Sequence, residues 1–161
     1  MAQQSASHHE KAREALKKFR IVFSSVKKHF EDIEARCGVS GAQLWALSEI
    51  SKAPGLRVSE LASALLVHQS TASNLLIRLE EKELIKRERA STDQRVVRLH
   101  LTEKGKDLLS RAPKPMIGLL PDALQRLPED VLENLLGNME RLVSTMRIKD
   151  EGATEKPLSD I

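Results

Sequence analysis

Cysteine, tyrosine and long apolar runs are what this sequence is short of. Of its 161 residues one is cysteine, Cys37, so no disulfide can form within the chain. No apolar stretch approaches the roughly 20 residues that a helix needs to cross a bilayer, which argues against a membrane partner. The first residues, MAQQSASHHEK, lack the apolar segment of a secretory signal, so a cytoplasmic chain is expected. Neither a strained nucleophile turn nor a Gly-rich phosphate loop is present. The histidines (His8, His9, His29, His68 and His100) show no metal-ligand spacing beyond one adjacent pair. No enzyme, cofactor or metal site is therefore expected. Tyrosine is absent and Trp45 is the one tryptophan, which makes it a clean fluorescence reporter.

What is present describes an ordered chain: 40% hydrophobic and 30% charged residues, in a length that suits one compact domain or one domain plus dimerising helices. The net charge of +3 agrees with an anionic partner without identifying one. Placement of the charge is more informative than its sum.

From residue 10 to 36, apolar side chains recur as Ala12, Leu16, Phe19, Val22, Phe23, Val26, Phe30 and Ile33, the spacing of one helical face. Cys37-Gly38 ends that helix. Ser40-Gly41-Ala42-Gln43 reads as a capping box opening a second helix that runs to about Lys52, where Pro54-Gly55 breaks it. Ser59 is the expected N-cap of a short third helix over 60–66. After a turn at His68 to Ser70, Ala72, Leu75, Leu76 and Leu79 form the buried stripe of a fourth helix. Past Leu84 the period shifts to alternation, predicting two strands around Ile85 and Leu99 joined by residues 90–94. Thr102 caps a fifth helix that Pro113 and Pro115 must interrupt, since each lacks the N–H and clashes with the preceding turn. Pro121 repeats the problem. Pro128 then opens a last helix with a broad stripe from Val131 to Met146.

A short helix, a tight turn, a second helix and a basic hairpin outline a winged helix-turn-helix that binds DNA. Gln69, Ser70, Thr71, Ser73, Asn74 and Arg78 lie off the apolar stripe of the fourth helix, and the short or amide-bearing ones suit base edges in a major groove. The hairpin gathers Lys86, Arg87, Arg89, Arg95 and Arg98 against only Glu88 and Asp93. An arginine at a wing tip suits the electronegative minor groove. Asp93 repels phosphate and is better read as the partner that orients Arg95.

These segments resemble the MarR family of bacterial transcription regulators. Val58-Ser59-Glu60-Leu61-Ala62, Ser70-Thr71-Ala72-Ser73, Asp93-Gln94-Arg95 and Leu101-Thr102 with Gly105 match the family's pattern in order and spacing. The resemblance implies a mainly α fold with a small β-hairpin wing, a winged helix-turn-helix over 40–101 flanked by dimerisation helices over 10–36 and 102–147. It also implies a homodimer on a pseudo-palindromic double-stranded DNA operator, acting as a repressor and released by a small aromatic or anionic effector such as an aromatic acid. Two departures stand out. Glu83 occupies a place where the family usually has Gly, and the fifth helix is rich in Pro. Residues 1–9 are expected to be a flexible start and 148–161 a disordered tail.

An effector site is expected around Trp45, which shares a polar helix face with Ser48, Glu49 and Lys52, with His29 and Arg36 two turns apart on the first helix to meet a carboxylate. Ordinary packing of the indole at an interface is the plainer alternative. Cys37, with only Arg36 adjacent, reads as a small residue at a helix end rather than an oxidant sensor. A competing function is a winged helix that binds proteins and has no specific DNA site.

Overall fold

The computed structural model describes residues 2–89 and 96–160, with side chains described from residue 7. The first helix, α1 (Ala2–Cys37), spans 36 residues. It starts at Ala2 rather than near Glu10, because nothing between them, neither Pro nor Gly, stops the helix from extending. The chain then reverses at Gly38, where φ is +65°.

The second helix, α2 (Gly41–Lys52), opens on the expected capping box: Gln43 N donates to Ser40 Oγ at 3.2 Å and Ser40 N to Gln43 Oε1 at 3.0 Å. Gly41 is needed here, since a Cβ would lie 2.4 Å from the Phe30 ring of α1. Leu44, Leu47 and Ile50 are fully buried.

Helix α3 (Val58–Leu65) corrects the expected cap. Arg57, not Ser59, holds the N-cap position, and its backbone N donates to Glu60 Oε2 at 2.8 Å, while the Ser59 carbonyl accepts from Ser63 Oγ. The Glu60 carboxylate thereby satisfies the N–H of the cap residue itself, the half of a capping box that asks nothing of the arginine side chain. Helix α4 (Gln69–Glu81) follows, then an antiparallel hairpin of β1 (Ile85–Arg89) and β2 (Val97–Leu101) in which Ile85 pairs with Leu101 and Arg87 with Leu99.

Helix α5 (Glu103–Arg111) starts at Thr102, whose Oγ1 accepts from Gly105 N at 3.1 Å, and stops before Pro113. The short α6 (Leu119–Gln125) returns to α1, and α7 (Glu129–Thr145) ends the helical part. One core unites the winged region: Ile33 of α1, the inner faces of α2, α3 and α4, Ile85 and Leu99 of the hairpin, and Leu108 and Leu109 of α5.

Helix α7 contributes nothing buried to that core. Val131, Leu132, Leu135, Leu136, Met139, Leu142 and Val143 all stay exposed, as do Leu16, Ile21, Val22 and Phe23 on α1. The tail differs from the disorder expected of it. Residues Glu151–Glu155 and Leu158–Asp160 form two 3-10 turns, the second reaching α2. Two anchors too sparse to give a periodicity, Leu158 and Glu155, hold it there.

Candidate nucleic-acid interface

The α3–α4 turn is set by backbone chemistry. Leu66 adopts left-handed geometry (φ 56°), and Val67 N donates to Ala62 O at 3.1 Å, which closes α3 and redirects the chain into α4. Along α4 the buried side chains are Ala72, Leu75, Leu76 and Leu79. That stripe fixes the opposite face outward. Gln69, Ser70, Asn74 and Arg78 are exposed, together with Ile77, while Thr71 and Ser73 are half-buried. The six predicted residues of this helix are thus brought to one element, with the first turn the most open. His68, at the N-cap, makes no side-chain cap to the helix.

The wing stands beside α4 because several contacts hold its base. Leu84 N donates to Leu79 O, and Glu83 takes the left-handed conformation (φ 59°) that the family usually gives to Gly. Its carbonyl accepts from Thr102 Oγ1 at 2.6 Å and its carboxylate faces Lys104 at 3.3 Å. Gly105 packs against Leu84 so closely that a Cβ would lie 2.1 Å from the Leu84 carbonyl oxygen. A third extended segment completes the wing: Leu56 bridges Leu99, with Gly55 N donating to Leu99 O at 2.8 Å and Leu99 N to Leu56 O at 3.0 Å. Sequence reasoning missed this pairing, since one residue between Gly55 and Arg57 is too short to show alternation.

Two cations predicted to face DNA also serve the scaffold. Arg87 Nε pairs with Glu80 Oε2 of α4 at 2.7 Å, and Arg98 Nη1 donates to Gly55 O at 3.0 Å. They tie the wing to the helix and to the α2–α3 turn. Arg89 is exposed at the far end of β1. Lys86 pairs with Glu88 at 2.5 Å, and the ammonium holds the Glu88 carboxyl below the ordinary glutamate range. Asp93 and Arg95 lie outside the described residues.

Trp45 lines a small apolar cavity with Phe30, Gly41, Leu75, Ile117 and Pro121, and its Nε1 donates to Glu49 Oε1 at 3.2 Å. His29 and Arg36 do not join it. His29 Nε2 lies 3.1 Å from Pro115 O, and Arg36 pairs with Asp32 at 3.2 Å one turn back on α1. Cys37 is half-buried in a hollow that also takes in Lys82, Lys104 and Arg111, neighbours invisible in the sequence because they come from α4 and α5.

With that geometry in view, the likeness to known proteins is specific. A family model described as the MarR family matches residues 38–96, from just after α1 to just before β2. The chain is 34% identical over 84 residues to the HTH-type transcriptional repressor MdtR of Bacillus subtilis, a match covering 52% of this chain and 54% of that protein. Over 105 residues it is 34% identical to a putative transcriptional regulatory protein for the hcr operon of Thauera aromatica, covering 65% and 63%. Residues 38–96 are therefore a region of MarR-family type. The winged-helix fold of the chain also matches the MepR–DNA complex of Staphylococcus aureus, at 25% identity and a TM-score of 0.56, over 79% of this chain and 92% of that one. The chain spans only about half to two thirds of the length of these two sequence relatives.

Proposed function

We propose that this chain is a sequence-specific DNA-binding transcription regulator of the MarR type, a dimeric repressor that occupies a pseudo-palindromic operator. The observation that carries the reading is the open polar face over the first two turns of α4, with Gln69, Ser70 and Asn74 exposed, backed by a buried leucine stripe and flanked by a braced basic wing. Such a helix reads base edges while the body fixes its angle. Arg78, Arg89 and Arg95 supply phosphate or minor-groove contacts, and Asp93 orients Arg95. The naming of MdtR as a repressor and the DNA-bound structure of MepR support the same reading.

A second copy of the chain is the partner that covers α7 and the outer face of α1, whose exposed leucines and phenylalanine recur at helical spacing on both helices. A small aromatic or anionic effector is taken at Trp45. Its entry requires the cavity to open, because the present space of about 40 Å³ admits little more than a water molecule. Since His29 and Arg36 are engaged elsewhere, Trp45 alone anchors the effector reading.

The test is retardation of genomic promoter fragments at moderate salt, competed with specific and with random DNA. Specific competition is the expected result. Equal competition by random DNA would favour the alternative, a winged helix that binds proteins.

A further inference from the structure

The tail is held at two places that matter to the proposed function. At the first, Pro157, Leu158 and Ser159 lie over the cavity of Trp45, completing a wall otherwise made by Phe30, Leu75 and Pro121. Leu158 is 43% exposed, so it straps the mouth rather than filling the interior. At the second, Glu155 Oε2 lies 2.7 Å from His68 Nε2, beside a cleft walled by Ser59, Ser63 and Gln69. His68 is the N-cap of α4 and gives it no side-chain cap, so the first-turn N–H groups are left for an anion. A phosphate of bound DNA would approach there, and the chain places its own carboxylate beside it. Residues 151–160 carry Glu151, Glu155 and Asp160 against the single Lys156.

We propose that residues 151–160 are a built-in competitor of DNA: Leu158 straps the Trp45 cavity while Glu155 occupies the phosphate approach at His68, so the docked tail and bound DNA exclude one another. This inference rests on the DNA-binding reading above. Because both anchors belong to one short segment, whatever removes Leu158 from the cavity mouth also loosens Glu155. Coupling of this kind is reciprocal, so DNA must in turn lift the strap from Trp45.

The experiment uses the full chain, a mixed-sequence duplex at low salt, and acrylamide quenching of the single tryptophan. Leu158→Asp undocks the strap; Glu155→Gln removes the competing charge and leaves Leu158 in place. Both variants are expected to bind the duplex about three- to tenfold more tightly, the scale of relieving one or two unfavourable charges near phosphates. Quenching of Trp45 should rise in Leu158→Asp, and in the wild-type chain when duplex is added. Unchanged quenching in Leu158→Asp overturns the strap. Raised quenching with unaltered affinity in both variants overturns the exclusion, leaving the tail as packing alone. Failure of every form of the chain to bind any duplex overturns instead the DNA-binding reading, and the proposed exclusion falls with it.

Discussion

Gly105→Ala is the sharpest test of how the wing is mounted. In isolation the substitution favours the helix, since alanine is better than glycine by roughly 0.8–1 kcal/mol in a helix interior. Here the new Cβ would meet the Leu84 carbonyl oxygen at 2.1 Å, and reaching ordinary contact needs a shift of more than 1 Å. That oxygen is not free to move. It accepts from Thr102 N at 3.1 Å, and the adjoining Glu83 carbonyl is held by the Thr102 hydroxyl at 2.6 Å. Overpacking costs about 1–3 kcal/mol and a lost buried hydrogen bond a similar amount, so the clash outweighs the propensity gain by about 2–4 kcal/mol. For a chain of this size the melting temperature should fall by roughly 5–15 °C, read by circular dichroism with a urea titration as a second measure. Gly137→Ala is the control: its Cβ meets nothing within 4 Å, and it lies on the side of α7 opposite the apolar stripe. It should stabilise by about 0.5–1 kcal/mol. A Gly105→Ala chain as stable as wild type would refute the close approach of α5 to the wing.

Glu83→Gly should stabilise by about 0.5–1 kcal/mol in urea unfolding, because the strain of a left-handed non-Gly residue exceeds what the exposed Lys104 pair returns. Arg95→Ala should weaken operator binding by roughly 1–3 kcal/mol with little change in melting temperature, and unaltered affinity would remove the wing tip from the mechanism. Leu135→Glu or Leu142→Glu should yield monomers in sedimentation, as an unpaired charge would enter an apolar interface; persistent dimers would move the interface elsewhere. The Glu88 carboxyl should titrate by NMR below free glutamate and return toward it in Lys86→Ala; since its folded pKa is lowered, the pair's contribution is present above the ordinary glutamate pKa and lost as pH falls through the depressed value.

The winged fold was legible in the sequence wherever one local rule decided the outcome. Leucines at helical spacing fix which face of α4 is buried, and with it which side chains face outward. Ser40 with Gln43, and Thr102 with Gly105, place two helix starts through hydrogen bonds that close within four residues. Proline ends α5 because it cannot donate. Tertiary contacts decided the rest, since they join residues that no window of sequence holds together. Arg87 and Arg98 read as free cations until Glu80 and the Gly55 carbonyl are seen beside them. His29 and Arg36 share a helix face with nothing to assign them to Trp45, and the fold gives them Pro115 and Asp32 instead. The tail has no periodicity, yet a single leucine and a single glutamate suffice to dock it once α2 and α4 present their partners. Periodicity and capping are short-range and survive in one dimension; partner choice is long-range and exists only when the chain has closed on itself.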